Sequence, residues 1–408
     1  MQIEAEGSDH VDTRPVQQVH RVAIGPSLRV VQVIDSLDRP GGAEQSLAQL
    51  APRLVDEGID LHVAYLLERD GFQEDLLKAG VGVHSLAGDT ANRRYWRDRA
   101  VDLIRTLRPA VVHTTLFEAD LAGRRAAART RVPCISSLVN TAYGPTESRR
   151  DGLSKVRMRA AQAADIITAR RVSRFHAITE HVATVMSRRL LIPRSKIDVI
   201  RRGRDPELLG RRSAARRGTA RRRLELEPET PLILAVGRQE PQKGFDVLLE
   251  ALLRVRSLFP TVRVIVAGRE GRASPALARL MSIHELAGTV RFLGARDDVA
   301  DLMAAADVLA FTSLWEGAAG TLLEAMALEC PIVASRLPPI LEALDESTAE
   351  LVTPGDAEDL ARGLASVLSN PDEAAGRVQR ALARFDEEFT IEHSARRTAD
   401  LYWRVATA

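Results

Sequence analysis

Cysteine is nearly absent. The 408 residues hold two, Cys134 and Cys330. A disulfide scaffold is excluded, and neither cysteine has partners at the spacing of a zinc site. Aromatic residues make up 4% of the chain, so the core must be built from aliphatic side chains. No apolar run approaches the ~18 residues of a membrane-spanning helix. The first 28 residues carry acids and no apolar segment, unlike a signal peptide. The expectation is a cytosolic protein of a reducing compartment. Familiar chemical motifs are missing as well: no P-loop, no G-x-G-x-x-G, no H-E-x-x-H and no G-x-S-x-G. There is also no D-x-D pair to hold a metal-bound nucleotide diphosphate.

Lysine is scarce too. Of 57 basic residues only Lys78, Lys155, Lys196 and Lys243 are lysines. The net charge of +2 conceals an asymmetry: residues 1–230 carry +10 and residues 231–408 carry −8. Halves of opposite sign suggest different binding tasks.

What is present is alternation. Arg29 to Ile34 is a β-branched run, followed by a turn-rich loop with Pro40-Gly41-Gly42. Ala43, Leu47, Leu50, Ala51 and Leu54 then share one helix face. Strand and helix patterns alternate from there to Ile200, and a second series starts at Leu232. The pattern predicts two doubly wound, Rossmann-like α/β domains in tandem, each with a parallel sheet. The expected division is a tail over 1–28, a first domain over 29–205 and an Arg-rich connection over 206–230. A second domain over 231–385 follows, and a helix over 386–408 packs back on the first domain.

Ligands of such sheets bind beyond the carboxyl ends of the strands. Three loops stand there. Gly41 and Gly42 open a helix, where free N–H groups suit a phosphate, although a plain tight turn explains them equally. Gly237-Arg238 and Lys243-Gly244 follow the Leu232–Val236 run. Arg238 and Lys243 can converge on one dianion, the first as a bidentate fork and the second as a point charge. The third loop holds Glu316, Gly320, Thr321 and Glu324. Gly320 and Thr321 would open a helix, and Glu324 within it needs a partner such as a sugar diol. His113 lies at the end of a strand, where a structural role is the more ordinary one.

These motifs, in this order, resemble the retaining glycosyltransferases of family 4, which have the GT-B architecture. The resemblance spans about residues 29–405. It rests on Gly41 to Glu44, Val111 to His113, Val199 to Gly203, Arg238 with Lys243, and the pair Glu316 and Glu324 spaced E-x7-E. It implies a nucleoside-diphosphate sugar as donor, no metal or other cofactor, and retention of anomeric configuration. Arg238 and Lys243 would stabilise the leaving diphosphate, with Glu316 beside the transferred sugar and Glu324 on the ribose. Gly41, Gly42, Gly237, Gly320, Thr321 and Leu322 would line the donor by their backbones, and Arg296 would lie near the base. His113 and Asn140 would neighbour the sugar or acceptor.

The chain also departs from that pattern. Many members read Pro-Asn-Gly where Arg201-Arg202-Gly203 stands, and many carry a histidine where this chain has Leu138-Val139-Asn140. The acceptor is expected to be a glycan, a lipid-linked molecule or a small molecule. The basic clusters at Arg93–Arg99 and Arg149–Arg174 suggest contact of the first domain with an anionic membrane. Two alternatives stand beside this reading: an inactive sugar-nucleotide-binding homologue, and a basic nucleic-acid-binding protein. No nucleic-acid motif supports the latter.

Overall fold

The computed structural model describes residues 27–39, 41–88, 92–144, 154–318 and 320–408. The segment 1–26, most of the expected tail, lies outside them, as do Pro40, Arg149, Arg150 and Ala319. The first domain is a seven-stranded parallel sheet in the order β3-β2-β1-β4-β5-β6-β7. Its strands are β1 (Leu28–Ile34), β2 (Ile59–Tyr65), β3 (Gly82–Ser85), β4 (Val111–Thr115), β5 (Cys134–Leu138), β6 (Arg174–Ala177) and β7 (Ile197–Val199). The second domain is a six-stranded parallel sheet in the order β10-β9-β8-β11-β12-β13. It holds β8 (Leu232–Val236), β9 (Arg263–Ala267), β10 (Val290–Gly294), β11 (Val308–Phe311), β12 (Ile332–Ser335) and β13 (Glu350–Val352).

The central strands are apolar on both faces because helices cover both sides. Val30, Val31, Val33 and Ile34 of β1 are at most 1% exposed, and Leu232 to Ala235 of β8 are fully buried. Four aliphatic clusters fill the space, two around each sheet. The tail expected to reach residue 28 is shorter, since Leu28 already pairs with Ile59.

The Arg-rich stretch corrects the sequence reading. It is not an interruption but a helix, Ala214–Arg223, capped at its start by the Ser213 side chain. It docks on the second domain. Arg216 pairs with Asp301 at 2.7 Å, and Arg217 with Asp307 at 2.7 Å. Part of the basic excess of the first half is thus neutralised by acids of the second.

The chain crosses between domains twice, side by side. Arg204 donates its N–H to the Phe389 carbonyl at 2.9 Å, and Ile391 donates to the Arg204 carbonyl at 2.9 Å. Gly203 is required here by contact: a Cβ would lie 2.3 Å from the Thr390 carbonyl oxygen. Beyond the second crossing the helix Ile391–Ala406 packs against the helix Gly42–Asp56 and β4. In both sheets the strand order reverses, between β1 and β4 and between β8 and β11. The crevices at these two reversals are the expected ligand positions.

Candidate active site

At the β8–β11 crevice the chain gathers its charged loop residues. Gly237 has φ +152°, and a Cβ there would press on the Lys243 stem at 3.0 Å. Glycine therefore lets the lysine cross the loop. Gly244, with φ +60°, sits against the Thr312 carbonyl, where a Cβ would come within 2.2 Å. The Thr312 hydroxyl donates to the Lys243 carbonyl at 2.7 Å. These contacts aim the Lys243 ammonium at Glu316, with Nζ 2.7 Å from Oε1. The same oxygen accepts from the Ser313 hydroxyl at 2.8 Å. The ammonium also lies 5.6 Å from the centre of the Phe311 ring. Arg238 is exposed and only loosely associated with Glu240, 3.9 Å away. An exposed guanidinium fork and a fixed ammonium thus stand at one strand end.

The helix Gly320–Ala327 starts in the same crevice. Leu322 is buried, so its main chain alone is available to a ligand. Glu324 faces across the domain boundary, where Arg204 Nε lies 2.7 Å from Oε1. The Arg204 side chain crosses the helix start, its Nη2 lying 1.7 Å from where a Gly320 Cβ would be. Thr321 is half-buried beside it. Arg296 sits at the exposed rim after β10, held by Asp298 at 2.6 Å.

Besides the Arg204 side chain, the first domain meets this assembly with its backbone after β5 and with the Thr179 hydroxyl. A Cβ on Gly317 would lie 3.0 Å from the Val139 carbonyl oxygen and 3.2 Å from the Asn140 Cα. The Asn140 side chain is exposed there. Thr179 donates its hydroxyl to the Gly317 carbonyl at 3.2 Å. At the β1–β4 crevice, Gly41 leaves room for the Glu44 carboxylate, which a Cβ would meet at 1.9 Å. Gly42 faces open space.

His113 is corrected. Its ring is 3% exposed and lies inside the sheet. One nitrogen bonds the Tyr402 hydroxyl at 2.7 Å and the other the Ser137 hydroxyl at 2.8 Å. Burial, reinforced by His176, pushes its pKa down to about 3, so the ring is neutral. Both nitrogens are used, and the ring ties the last helix to β4 instead of facing a sugar.

Several groups escaped the sequence reading. Asp35, just after β1, accepts the Ala119 N–H at 2.7 Å, and burial raises its pKa to about 7. Arg202 and Arg204 project from the crossing loop, and Glu342 receives the N–H groups of Glu180 and His181 at 2.8 Å each. The sequence signalled only Arg202, through the Arg201-Arg202 pair standing where many members of the resembled family have Pro-Asn; nothing marked Arg204. Among the described residues no cluster of three or more His, Cys, Asp or Glu is arranged to hold a metal ion. No helix among them is long and apolar enough to cross a membrane.

Known families match on both sides of the crossing. Residues 40–208 match the family described as Glycosyltransferase Family 4, and residues 216–384 match Glycosyl transferases group 1. Among curated relatives, the D-inositol 3-phosphate glycosyltransferase of Rhodococcus jostii is 34% identical over 222 residues, 52% of this chain and 48% of that protein. The phosphatidyl-myo-inositol mannosyltransferase of Mycolicibacterium smegmatis is 36% identical over 157 residues, 37% of this chain and 40% of its own length. The chain spans about half the length of the curated relatives it matches. Among solved structures, HepE of Anabaena, crystallised with UDP-glucose, superposes with a TM-score of 0.79 at 21% identity, covering 92% of this chain and 99% of that one. That likeness establishes the GT-B fold.

Proposed function

The chain belongs to the group 1 glycosyl transferases, and on that premise we propose that it moves a sugar from a nucleoside diphosphate to an acceptor hydroxyl. The observation that carries the reading is the paired crevice: Lys243 on Glu316, and Glu324 at the start of the next helix. Both carboxylates of the E-x7-E pair stand at one switch point, beside two cations and the free N–H groups of a helix start. A diphosphate is the ligand such a set fits.

In this reading the diphosphate lies at the N-terminus of Gly320–Ala327. Glu324 offers Oε2 to ribose hydroxyls while Arg204 holds Oε1. Glu316, fixed by Lys243 and Ser313, borders the sugar. As the bond from the anomeric carbon to the phosphate oxygen breaks, negative charge builds on the diphosphate. Arg238 and Lys243 are already in place to stabilise it, and preorganised charge of this kind lowers the barrier. The acceptor oxygen bonds to the anomeric carbon on the face the phosphate leaves, and its proton passes to a diphosphate oxygen. The product keeps its configuration. Because Glu316 and Glu324 are both committed to cations, neither is free to act as the base. Two side-chain cations take the role a divalent metal plays where D-x-D is present.

Nucleotide release would be measured with UDP-, GDP-, ADP- and dTDP-sugars, with and without EDTA, and product configuration read by NMR. One donor is expected to turn over with retention and undiminished by EDTA. Absence of both turnover and a thermal shift with every donor would overturn the reading.

A lipid-linked acceptor is favoured by one surface. The helix Lys155–Ala169 exposes Lys155, Arg157 and Arg159, and its Val156 is 77% exposed. Basic and apolar groups side by side suit an anionic bilayer surface. The other basic cluster does not contribute an aromatic anchor, because Trp96 is buried and Arg93 is engaged by Glu118. Co-sedimentation with vesicles of phosphatidylglycerol and of phosphatidylcholine tests this. Equal binding to both would remove the membrane from the proposal.

A further inference from the structure

The crossing loop carries three arginines, and only two of them have anionic partners. Arg201 reaches Glu388 at 3.1 Å and lies 5.9 Å from the Phe389 ring centre. Arg204 holds Glu324 and the Gly203 carbonyl. Arg202 has one hydrogen bond, to the Gly42 carbonyl at 3.3 Å. No carboxylate among the described residues lies within ion-pair distance of it.

Its surroundings make that isolation costly. Arg202 lines the same narrow interdomain cavity as Thr179, Gly320 and Leu322. Withdrawal from water and the neighbouring Arg204 charge bring its pKa down to about 10, and Glu44 offsets this only in part. A half-buried guanidinium without an anion is unfavourable. Arg204 adds to the imbalance, since its side chain crosses the positive end of the Gly320–Ala327 helix, where a cation is misplaced. Arg202 and the helix start at Gly320 therefore border one cavity, and the hydrogen bond of Arg202 to the Gly42 carbonyl brings the Gly41–Gly42 loop beside that guanidinium. The backbone that presents Arg202 is fixed by the two hydrogen bonds of the crossing and by the close contact at Gly203.

We infer that Arg202 is a third cation on the donor's diphosphate, supplied from the first domain opposite Arg238 and Lys243. The inference rests on the transferase reading and deepens it. The planar fork of Arg202 matches two phosphate oxygens, and the anion relieves the repulsion between Arg202 and Arg204. The diphosphate is then held from both domains at once, so donor binding favours the closed cleft.

The test compares wild type, Arg202→Gln and Arg202→Lys by calorimetry against UDP, GDP, ADP and dTDP and against the four matching nucleosides. For the nucleotide that binds, Arg202→Gln is expected to weaken the diphosphate roughly 10–100-fold, as for loss of a charge-assisted bidentate contact. Affinity for the nucleoside should not change, and Arg202→Lys should recover part of the loss. The ligand-free melting temperature of Arg202→Gln should equal or exceed that of wild type, because an unpaired charge is removed. Unchanged diphosphate affinity overturns the inference, as does a fall in ligand-free stability, which would mark a structural arginine. A change confined to the acceptor KM also overturns it, placing the anion on the acceptor. If wild type binds no nucleoside diphosphate, the transferase reading itself falls; if it binds and Arg202→Gln binds equally, only the role of Arg202 falls.

Discussion

The two domains share a topology and use their polar residues in opposite ways. In the first, charged and polar side chains turn inward. Arg124, 1% exposed, is enclosed by Asp165, by Asp120 at 3.1 Å and by the Ser136 hydroxyl at 2.7 Å. Tyr143 completes the set, donating to Asp165 at 2.7 Å, and Thr114 donates to Asp120. Burial raises the Asp120 pKa, with the Arg124 charge opposing it. His113, Ser137 and Tyr402 form a second closed set. In the second domain the corresponding strand ends hold Arg238, Lys243, Glu316 and Glu324 at the crevice, with capacity left for a ligand. A satisfied buried network specifies one packing, whereas a strand-end cluster facing a crevice can take on substrate. Residue type alone does not separate the two; enclosure does.

The comparison breaks most sharply at Arg124. Replacing it with alanine leaves Asp120 and Asp165 buried without their cation, and about 3–5 kcal/mol of stability should be lost in urea denaturation. Turnover per folded molecule should stay within a few-fold of wild type. A loss of turnover as large as that of a Lys243 variant would mean the network serves the reaction. Lys243→Ala is the mirror case. It should lose about 10²–10³ in turnover, the range for removing one preorganised charge-stabilising group, with little change in the urea midpoint. Wild-type turnover would remove Lys243 from the mechanism.

Two smaller effects sharpen the contrast. His113→Ala strips partners from the Tyr402 and Ser137 hydroxyls, and about 1–3 kcal/mol should be lost. Donor KM should hold within two-fold, and a larger shift would return His113 to the substrate. Asp35 gives a pH signature. Its folded pKa, about 7, lies above the unfolded value of 3.8. The native state therefore holds the extra proton between these limits, and stability falls as pH rises from about 4 to about 7. Asp35→Asn mimics the protonated form and keeps an acceptor for the Ala119 N–H. Its gain in melting temperature should be near zero at pH 4 and grow to a few degrees above pH 7. A gain independent of pH would show that Asp35 does not titrate in this range.

Much of this was legible from the chain. Strand and helix periods marked all seven strands of the first sheet, and the second series was read as far as β12. The loops at Gly41, Gly237 and Glu316 were placed at strand ends, where the two reversals of strand order put them. β13, three residues at the edge of the second sheet, went unread. The Arg-rich helix was misjudged because seven arginines between 211 and 223 hide its packing face. That face is defined by Asp301 and Asp307, some 85–90 positions away.

The sequence by itself determined the two α/β domains, the family and the identity of the charged loop residues, because period, glycine position and residue type are local properties. Tertiary structure alone decided which polar residues are enclosed and which face the cleft. It set His113 into a closed network, paired Arg204 with Glu324 120 positions away, and left Arg202 facing the cavity without an anion. Those outcomes depend on burial and on partners brought together only when the two crossings lock side by side, and neither is written in any one segment.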